Sequence, residues 1–205
     1  MFSFLQNIKR NRNLSGLKDE SFAFLFDKDD GEEYIVFDTE TTGLDPKKDE
    51  ILSIGAVKIR GNTILTSETF EVYVKNSKEI NSKSIEVHGI RPCDLKDAKD
   101  PSEAIEMFLN FIGSRTLIGY FLEFDVAMIN KYTKEFLGIT LPNKQIEVSE
   151  IYYDQEICAI PQGNIDLRFD TILKKRDIPN MGVHNAVNDA IMTAMIYLKL
   201  TQGDK

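Results

Sequence analysis

Two periods of apolar residues divide the chain into a first part of strand type and a second part in which helices alternate with strands. Residues 33–38 are predicted to be the first strand, with a compact apolar run at its centre, while residues 70–74 and the later part of 51–59 alternate apolar and polar positions as half-exposed strands do. The residues Arg60-Gly61-Asn62 follow the second run as a hairpin-type turn. The pattern therefore predicts three strands joined by short loops, an antiparallel meander that opens the domain.

Helical periodicity begins after the third strand. Apolar residues share one face of residues 101–112, with a proline at the start and a glycine just beyond the end, which is typical of an amphipathic helix. An apolar strand is expected at 116–121, followed by a helix from about 125 to 137 with an inward apolar face. Because helices separate these strands, parallel addition to the sheet is favoured.

The last third of the chain predicts further helices around a weak strand. A short edge strand is expected near residues 147–149 with a helical turn after it, and helices are expected over 166–176 and 185–200. The buried stripe of the last helix consists of Val187, Ile191, Ala194 and Leu198. Ala186 and Ala190 are small enough to let this helix approach the sheet closely. The predicted fold class is α/β, with a central mixed five-stranded sheet flanked by helices.

Residues 1–32 lie outside this pattern. Phe2, Leu5 and Ile8 can share a helical face, and a second apolar group occupies residues 22–26. The simplest interpretation is one or two helices that pack back on the domain. A docking arm for a protein partner and contact with a membrane surface are the alternatives. We therefore expect an N-terminal extension over 1–32 and the main domain over 33–202.

The composition is that of an ordinary single domain of 205 residues, 42% hydrophobic and 28% charged. A formal net charge of -8 argues against broad non-specific wrapping of nucleic acid, although it allows a small site that meets phosphate through metal ions. Cys93 and Cys158 are not in metal-ligand spacing, which indicates free thiols in a reducing compartment. No apolar run is long enough to cross a bilayer and no secretory signal is evident, so a cytoplasmic location is expected.

Two carboxylates stand one residue apart where the first strand ends. Residues i and i+2 of an extended chain point to the same face, so Asp38 and Glu40 should project together. The two charges repel unless a cation lies between them or one group is protonated. Oxygen-only ligands favour a hard divalent ion such as Mg²⁺ or Mn²⁺. An acidic strand end that faces water is the alternative interpretation of this pair taken alone.

Two later positions add acidic groups and a histidine. Asp125 follows the strand at 116–121, and open α/β sheets place their sites at the carboxyl ends of strands. His184 should lie in a loop, with Asn185 capping the last helix and Asp189 in its first turns. Taken singly, these are ordinary helix-start and surface residues. Together with the acidic pair they can converge on one end of a sheet, where they suit a two-metal site for phosphoryl displacement with histidine taking the proton of water.

Three motifs, in order, resemble those of a known family. They are Phe37-Asp38-Thr39-Glu40-Thr41-Thr42-Gly43-Leu44, Phe124-Asp125 behind an apolar strand, and His184-x-Ala186-x-x-Asp189-Ala190. Over roughly residues 33–200 the sequence is similar to the DnaQ-type 3′–5′ exonucleases of the DEDDh group. The segment Val87-His88-Gly89-Ile90 also resembles one found in the proofreading epsilon subunit of bacterial DNA polymerase III. The resemblance implies a three-layer ribonuclease-H-like fold.

The resemblance also implies a role for each matching residue. Asp38, Glu40 and Asp189 would bind one divalent ion, Mg²⁺ or Mn²⁺. Asp38 and Asp125 would hold a second ion, Asp125 partly through water, and His184 would be the general base for the attacking water. The substrate would be the 3′ end of single-stranded DNA, with RNA as the alternative, and the products would be 5′-mononucleotides.

Four further residues are candidate substrate contacts. By resemblance, Thr41 and Leu44 would lie against the 3′-terminal nucleotide, and His88 would either touch it or pack as a structural histidine. Many family members carry His-Asn shortly before the second motif, whereas this chain has Tyr120-Phe121. Either aromatic ring can stack on a base, and Phe121 is the candidate contact.

Two other functional classes compete with the exonuclease. Asp-x-Glu-Thr after a strand bears a faint similarity to the motif of aspartyl phosphatases, in which the first Asp is a nucleophile. That class leaves His184 and Asp189 unexplained. A non-catalytic binding module on the same fold would be favoured if one of the five site positions were missing, but all five are filled.

Overall fold

A computed structural model describes residues 10–78, 80, 82–159, 164–182 and 184–202, so that Phe2, Leu5 and Ile8 lie outside the described residues. Its sheet has five strands: β1 (Glu33–Thr41), β2 (Ile51–Arg60), β3 (Thr63–Tyr73), β4 (Thr116–Gly119) and β5 (Gln145–Glu147). Their order is β3-β2-β1-β4-β5. Antiparallel pairing joins β1, β2 and β3, while β4 and β5 add in parallel. The predicted mixed sheet is therefore confirmed, with β1 at its centre.

Helices cover both faces of the sheet. They are α1 (Ser82–His88), α2 (Pro101–Ile112), α3 (Leu122–Leu137), α4 (Val148–Ala159), α5 (Phe169–Lys175) and α6 (Ala186–Gln202), with a 3₁₀ segment at Glu20–Phe26. The alternation of side chains along β1 explains the two layers. Ile35 and Phe37 belong to the core formed with α2 and α3, while Val36 belongs to the core formed with α4, α5 and α6. The three-layer arrangement expected for the fold is present.

The start of α3 differs from the prediction. The helix begins at Leu122, three residues before the predicted start, so Asp125 lies within its first turn. The strand before it ends at Gly119, and Phe121 adopts left-handed backbone angles at the cap position. A hydrophobic residue cannot cap a helix, and the Leu122 N–H instead donates to Glu147 Oε2 over 2.8 Å. A partner distant in sequence therefore sets this helix start.

The same glutamate explains the second difference. The edge strand ends at Glu147, where we expected it to begin, and a helix of 12 residues follows in place of a helical turn. Glu147 Oε1 accepts hydrogen bonds from the N–H of Ser149 (2.9 Å) and from its Oγ (2.7 Å). Those bonds turn the chain from β5 directly into α4.

The last helix lies unusually close to the sheet. Ala186 and Ala190 are buried as predicted, and so are Ile191 and Ala194, whereas the other two residues of the predicted stripe are only partly buried. A Cβ atom added to Gly55 of β2 would lie 2.2 Å from the carbonyl carbon of Ala186. Glycine is therefore required at position 55 for α6 to sit where it does.

Residues 10–32 pack on the α2–α3 side of the molecule. Phe22, Leu25 and Phe26 are buried there. Asp29 Oδ2 accepts hydrogen bonds from the N–H (3.0 Å) and the hydroxyl (2.6 Å) of Thr116 at the start of β4. The division of the chain at residue 32 stays a prediction. None of the described helices is long and apolar enough to span a membrane.

Candidate active site

Three carboxylates converge where β1 meets the first turn of α6. Asp38 and Glu40 share the face of β1 that looks toward α6, as their spacing predicts. The side chain of Asn185 accepts the N–H of Asn188 over 3.0 Å, so it caps α6 as predicted and leaves Asp189 near the helix start. One oxygen from each of Asp38, Glu40 and Asp189 lies within 4.8 Å of the others. Such a separation suits three ligands of one cation.

Asp125 reaches the same place from the opposite layer. Its Oδ1 accepts the N–H of Thr39 over 3.0 Å and the Thr39 hydroxyl over 2.5 Å. Both residues are buried, with 4% of Asp125 and 8% of Thr39 exposed. Asp125 is not one of the three clustered ligands, so its predicted role at a second ion stays a prediction.

Burial raises the pKa of every carboxyl in this group, and repulsion from other members of the group adds to it for Asp38 and Glu40. Desolvation raises the pKa of Asp38 well above its usual range, and the charges of the neighbouring carboxyls add to that effect. Burial, with Asp189 second, raises the pKa of Glu40 to about 7. Burial also raises the pKa of Asp125 to about 7 against the opposing hydrogen bonds of Thr39, and the pKa of Asp189 to about 6. These carboxyls therefore lack the positive charge that would stabilise their ionised forms.

A divalent cation fits this environment. No ion pair formed by the described side chains includes Asp38, Glu40, Asp125 or Asp189. Within the described chain, Asp189 Oδ1 is buried and accepts no hydrogen bond. An all-oxygen donor set with an unpartnered carboxylate oxygen is what a hard divalent ion requires.

Two histidines border the carboxylates. His184 lies just before α6 in a left-handed conformation, with a φ of 64°, and its backbone N–H donates to Asp189 Oδ2 over 2.9 Å. Its side chain is exposed. His88 is buried, and its Nδ1 accepts the Ile90 N–H over 3.0 Å. Burial, with the nearby His184 second, lowers the pKa of His88. The neutral ring must then carry its proton on Nε2, a buried atom for which the described residues offer no acceptor.

All nine predicted site residues line one cleft of about 1150 Å³. They are Asp38, Glu40, Thr41, Leu44, His88, Phe121, Asp125, His184 and Asp189. Two of them form an apolar rim, since Leu44 is 87% exposed and Phe121 61% exposed. The structure thus brings together residues that are spread over 152 sequence positions, from 38 to 189.

The cleft also contains residues that sequence reasoning missed. Ser84, Glu123, Arg168, Phe169 and Asp170 line it as well. Arg168 is the residue before α5 and Asp170 lies in its first turn, within a segment that was expected to be helical but carries no motif that marks either residue. Glu123 had a weak signal, since it immediately precedes the Phe124-Asp125 motif.

Comparison with known proteins gives the family. The model of the RNase_T family, described as exonuclease, matches residues 35–197. The chain is 31% identical over 173 residues to the PolC-type DNA polymerase III of Bacillus subtilis, with 82% of the chain but only 11% of that protein covered. It is also 31% identical over 179 residues to the DNA polymerase III subunit epsilon of Rickettsia typhi, with 82% of the chain and 74% of that subunit covered.

Solved structures share the fold. Exonuclease I of E. coli in complex with a dA16 oligonucleotide superimposes with a TM-score of 0.70 at 15% identity, over 83% of this chain and 41% of that one. The chain spans about an eighth of the length of the PolC-type polymerases it matches, 11% to 12%. The family match covers most of the chain, and the fold and the order of the motifs agree with it. The chain therefore belongs to the DnaQ-like family of 3′–5′ exonucleases.

Proposed function

We propose that the protein is a metal-dependent exonuclease of the DEDDh type that releases 5′-mononucleotides from the 3′ ends of single-stranded DNA. The observation that carries the proposal is the cluster of Asp38, Glu40 and Asp189 oxygens within 4.8 Å of one another, beside His184 in one cleft. Asp125 completes the set of four acidic residues from the opposite layer. RNA is the alternative substrate within the same chemistry.

The acidic residues would hold two divalent ions, Mg²⁺ or Mn²⁺. Asp38, Glu40 and Asp189 supply the ligands of one ion, and Asp38 and Asp125 those of the other. When bound, such ions stabilise the charge of a phosphoryl group during an in-line displacement and favour ionisation of water. The raised pKa values of Glu40 and Asp125, both about 7, mean that ion binding must also displace protons from these carboxyls near neutral pH.

His184 is the proposed general base. Its ring is exposed to the cleft, and the bond from its own N–H to Asp189 Oδ2 fixes its backbone beside the carboxylate cluster. Histidine is the side chain best suited to taking up a proton near neutral pH. In this assignment His184 removes the proton of the attacking water and does not hold an ion.

The substrate contacts follow from exposure and from an unsatisfied donor. Leu44 and Phe121 present apolar surfaces at the cleft rim on which a nucleobase can pack. His88 offers its Nε2–H, buried without an acceptor, to an oxygen of the terminal nucleotide. Thr41 lines the cleft beside them. The oligonucleotide named with exonuclease I supports single-stranded DNA as the ligand class.

Two further proposals concern a protein partner and the location of the protein in the cell. Residues 10–32 pack against the domain, so a protein partner that docks on the extension would meet a folded surface rather than a free arm. A cytoplasmic location is proposed from the sequence.

The test is degradation of a 5′-labelled oligonucleotide with Mn²⁺ by the wild type, the Asp38→Ala variant and an Asp97→Ala control. Asp97 is an exposed carboxylate outside the cleft. A ladder that shortens stepwise from the 3′ end, with 5′-mononucleotides as products, is expected for the wild type and the control but not for Asp38→Ala. Internal cuts, or equal degradation by Asp38→Ala, would reject the proposal. A matched RNA oligonucleotide decides between the two substrates.

A further inference from the structure

Thr39, which lies between the two acidic residues of β1, points its side chain to the other face of the sheet. Asp38 and Glu40 face α6, so the side chain of Thr39 faces α3. It meets Asp125 there, 86 positions later in the chain. Strand β1 is thereby close to Asp189 of α6 on one face and to Asp125 of α3 on the other.

Thr39 gives Asp125 two hydrogen bonds at a single oxygen. The N–H (3.0 Å) and the hydroxyl (2.5 Å) both end on Oδ1, so the second carboxylate oxygen is not engaged by Thr39. Hydrogen bonds to a charged acceptor are the strong ones, and both partners here are buried. The pair of bonds fixes the rotation of the carboxylate about its own axis, which the N–H alone would leave less constrained.

Asp125 needs such a tether because its neighbours repel it. The charge of Asp125 is among the causes that raise the pKa values of both Asp38 and Glu40, so the carboxylates are close enough to disfavour one another. Without the hydroxyl, Thr39 would offer the buried carboxylate only its N–H, and Asp125 would be freer to turn away from the cluster. The Thr39 hydroxyl opposes that rotation.

We propose that Thr39 is a positioning residue, whose hydroxyl holds Asp125 in the orientation that binds the second divalent ion. The proposal rests on the proposed function only for the identity of the site. It assigns a role to the one residue of the Asp38-Thr39-Glu40 run that contributes no carboxylate. In this proposal Thr39 acts through Asp125 and is not itself a ligand of the ion.

The test measures Mn²⁺ binding by calorimetry on metal-free protein, with no nucleic acid present. The wild type should bind two ions of different affinity. Thr39→Val keeps the shape and the N–H but removes the hydroxyl, and should weaken the second ion by about 10- to 100-fold while leaving the first nearly unchanged. Thr39→Ser restores the hydroxyl and should return the affinity toward that of the wild type. Thr39→Ala serves as a second hydroxyl-free variant. Thermal unfolding shows which variants are folded, and only those are compared.

A double-mutant cycle with Asp125→Asn separates positioning from a general structural effect. If Thr39 acts through Asp125, Thr39→Val has no further effect on Mn²⁺ affinity in the Asp125→Asn background. The proposal is overturned if the hydroxyl-free variants bind both ions as the wild type does, if Thr39→Ser is as impaired as they are, or if the effect persists in that background. Failure of the wild type to release nucleotides would reject the proposed function instead, since ion binding is measured without substrate.

Discussion

Replacing Gly55 by alanine should reduce nuclease activity by displacing α6, although Gly55 contributes no side chain to the site. Gly55 pairs with Asp38 across β1 and β2, and the first turn of α6 lies directly over it. The added Cβ would be 2.2 Å from the carbonyl carbon of Ala186 and 2.3 Å from the nitrogen of Val187. Both neighbours are backbone atoms, so no side-chain rotation can relieve the clash.

The size of the displacement follows from these distances. Carbon atoms that are not bonded to each other settle at about 3.5 Å or more, so the helix start must retreat by roughly 1.3 Å. Asp189 and His184 would move with it, away from Asp38 and Glu40 on β1. A shift of about 1 Å in catalytic geometry can reduce a rate by about 100-fold. The overpacking itself should lower the free energy of unfolding by about 1–3 kcal/mol.

The assay compares Gly55→Ala with Ile59→Val by nuclease rate and thermal unfolding. Ile59 is fully buried on the same strand and in the same core, and its truncation should lower the free energy of unfolding by about 0.5–1.5 kcal/mol without moving α6. We expect the Gly55→Ala rate to fall by about 100-fold and the Ile59→Val rate to stay near that of the wild type. A folded Gly55→Ala protein with full activity would refute the close approach of α6 to the sheet as the basis of the site.

Two further predictions concern individual groups of the site. His184→Ala should reduce turnover by about 10²- to 10⁴-fold while Mn²⁺ affinity, measured by calorimetry, stays near that of the wild type; a collapse of affinity would show that His184 is a ligand and not the base. In metal-free protein, the pKa of Glu40 is about 7 in the folded state and about 4.5 in the unfolded state. Because the folded state binds this proton more tightly, the free energy of unfolding falls as the pH rises between those two values. This loss of stability amounts to roughly 3 kcal/mol. Denaturant titrations at pH 5 and 8 should show that Glu40→Gln or added Mn²⁺ makes the free energy of unfolding much less dependent on pH. An unchanged pH dependence in Glu40→Gln would contradict the raised pKa.

The sequence predicted the parts of the molecule that local pattern specifies. The alternation in β1 placed Asp38 and Glu40 on one face, and the cap at Asn185 placed Asp189 at a helix start; the structure has both. The mixed sheet followed from the lengths of the connections, because short loops join antiparallel strands and helices join parallel ones. These inferences need only neighbours along the chain.

What the sequence did not predict depends on contacts between distant residues. The start of α3 depends on Glu147, which accepts the Leu122 N–H from 25 positions away. The place of Arg168 in the cleft depends on how the turn before α5 packs. The bond between Thr39 and Asp125 joins the sheet to the α3 layer, and no periodicity records which carboxylate meets which strand. Such pairings are set by tertiary packing alone.

The negative charge of the protein bears on how it can bind a polyanion. A chain of net charge -8 repels a polyanion, and its cleft is lined by six carboxyls, four of which belong to the proposed site. Two bound divalent ions would bring four positive charges, which would offset the charge of the four carboxylates Asp38, Glu40, Asp125 and Asp189. Attraction for the substrate would then be centred on the ions, at the carboxyl end of β1. The apolar rim formed by Leu44 and Phe121 can hold bases without adding charge, so binding of nucleic acid should depend on the ions far more than on any basic surface.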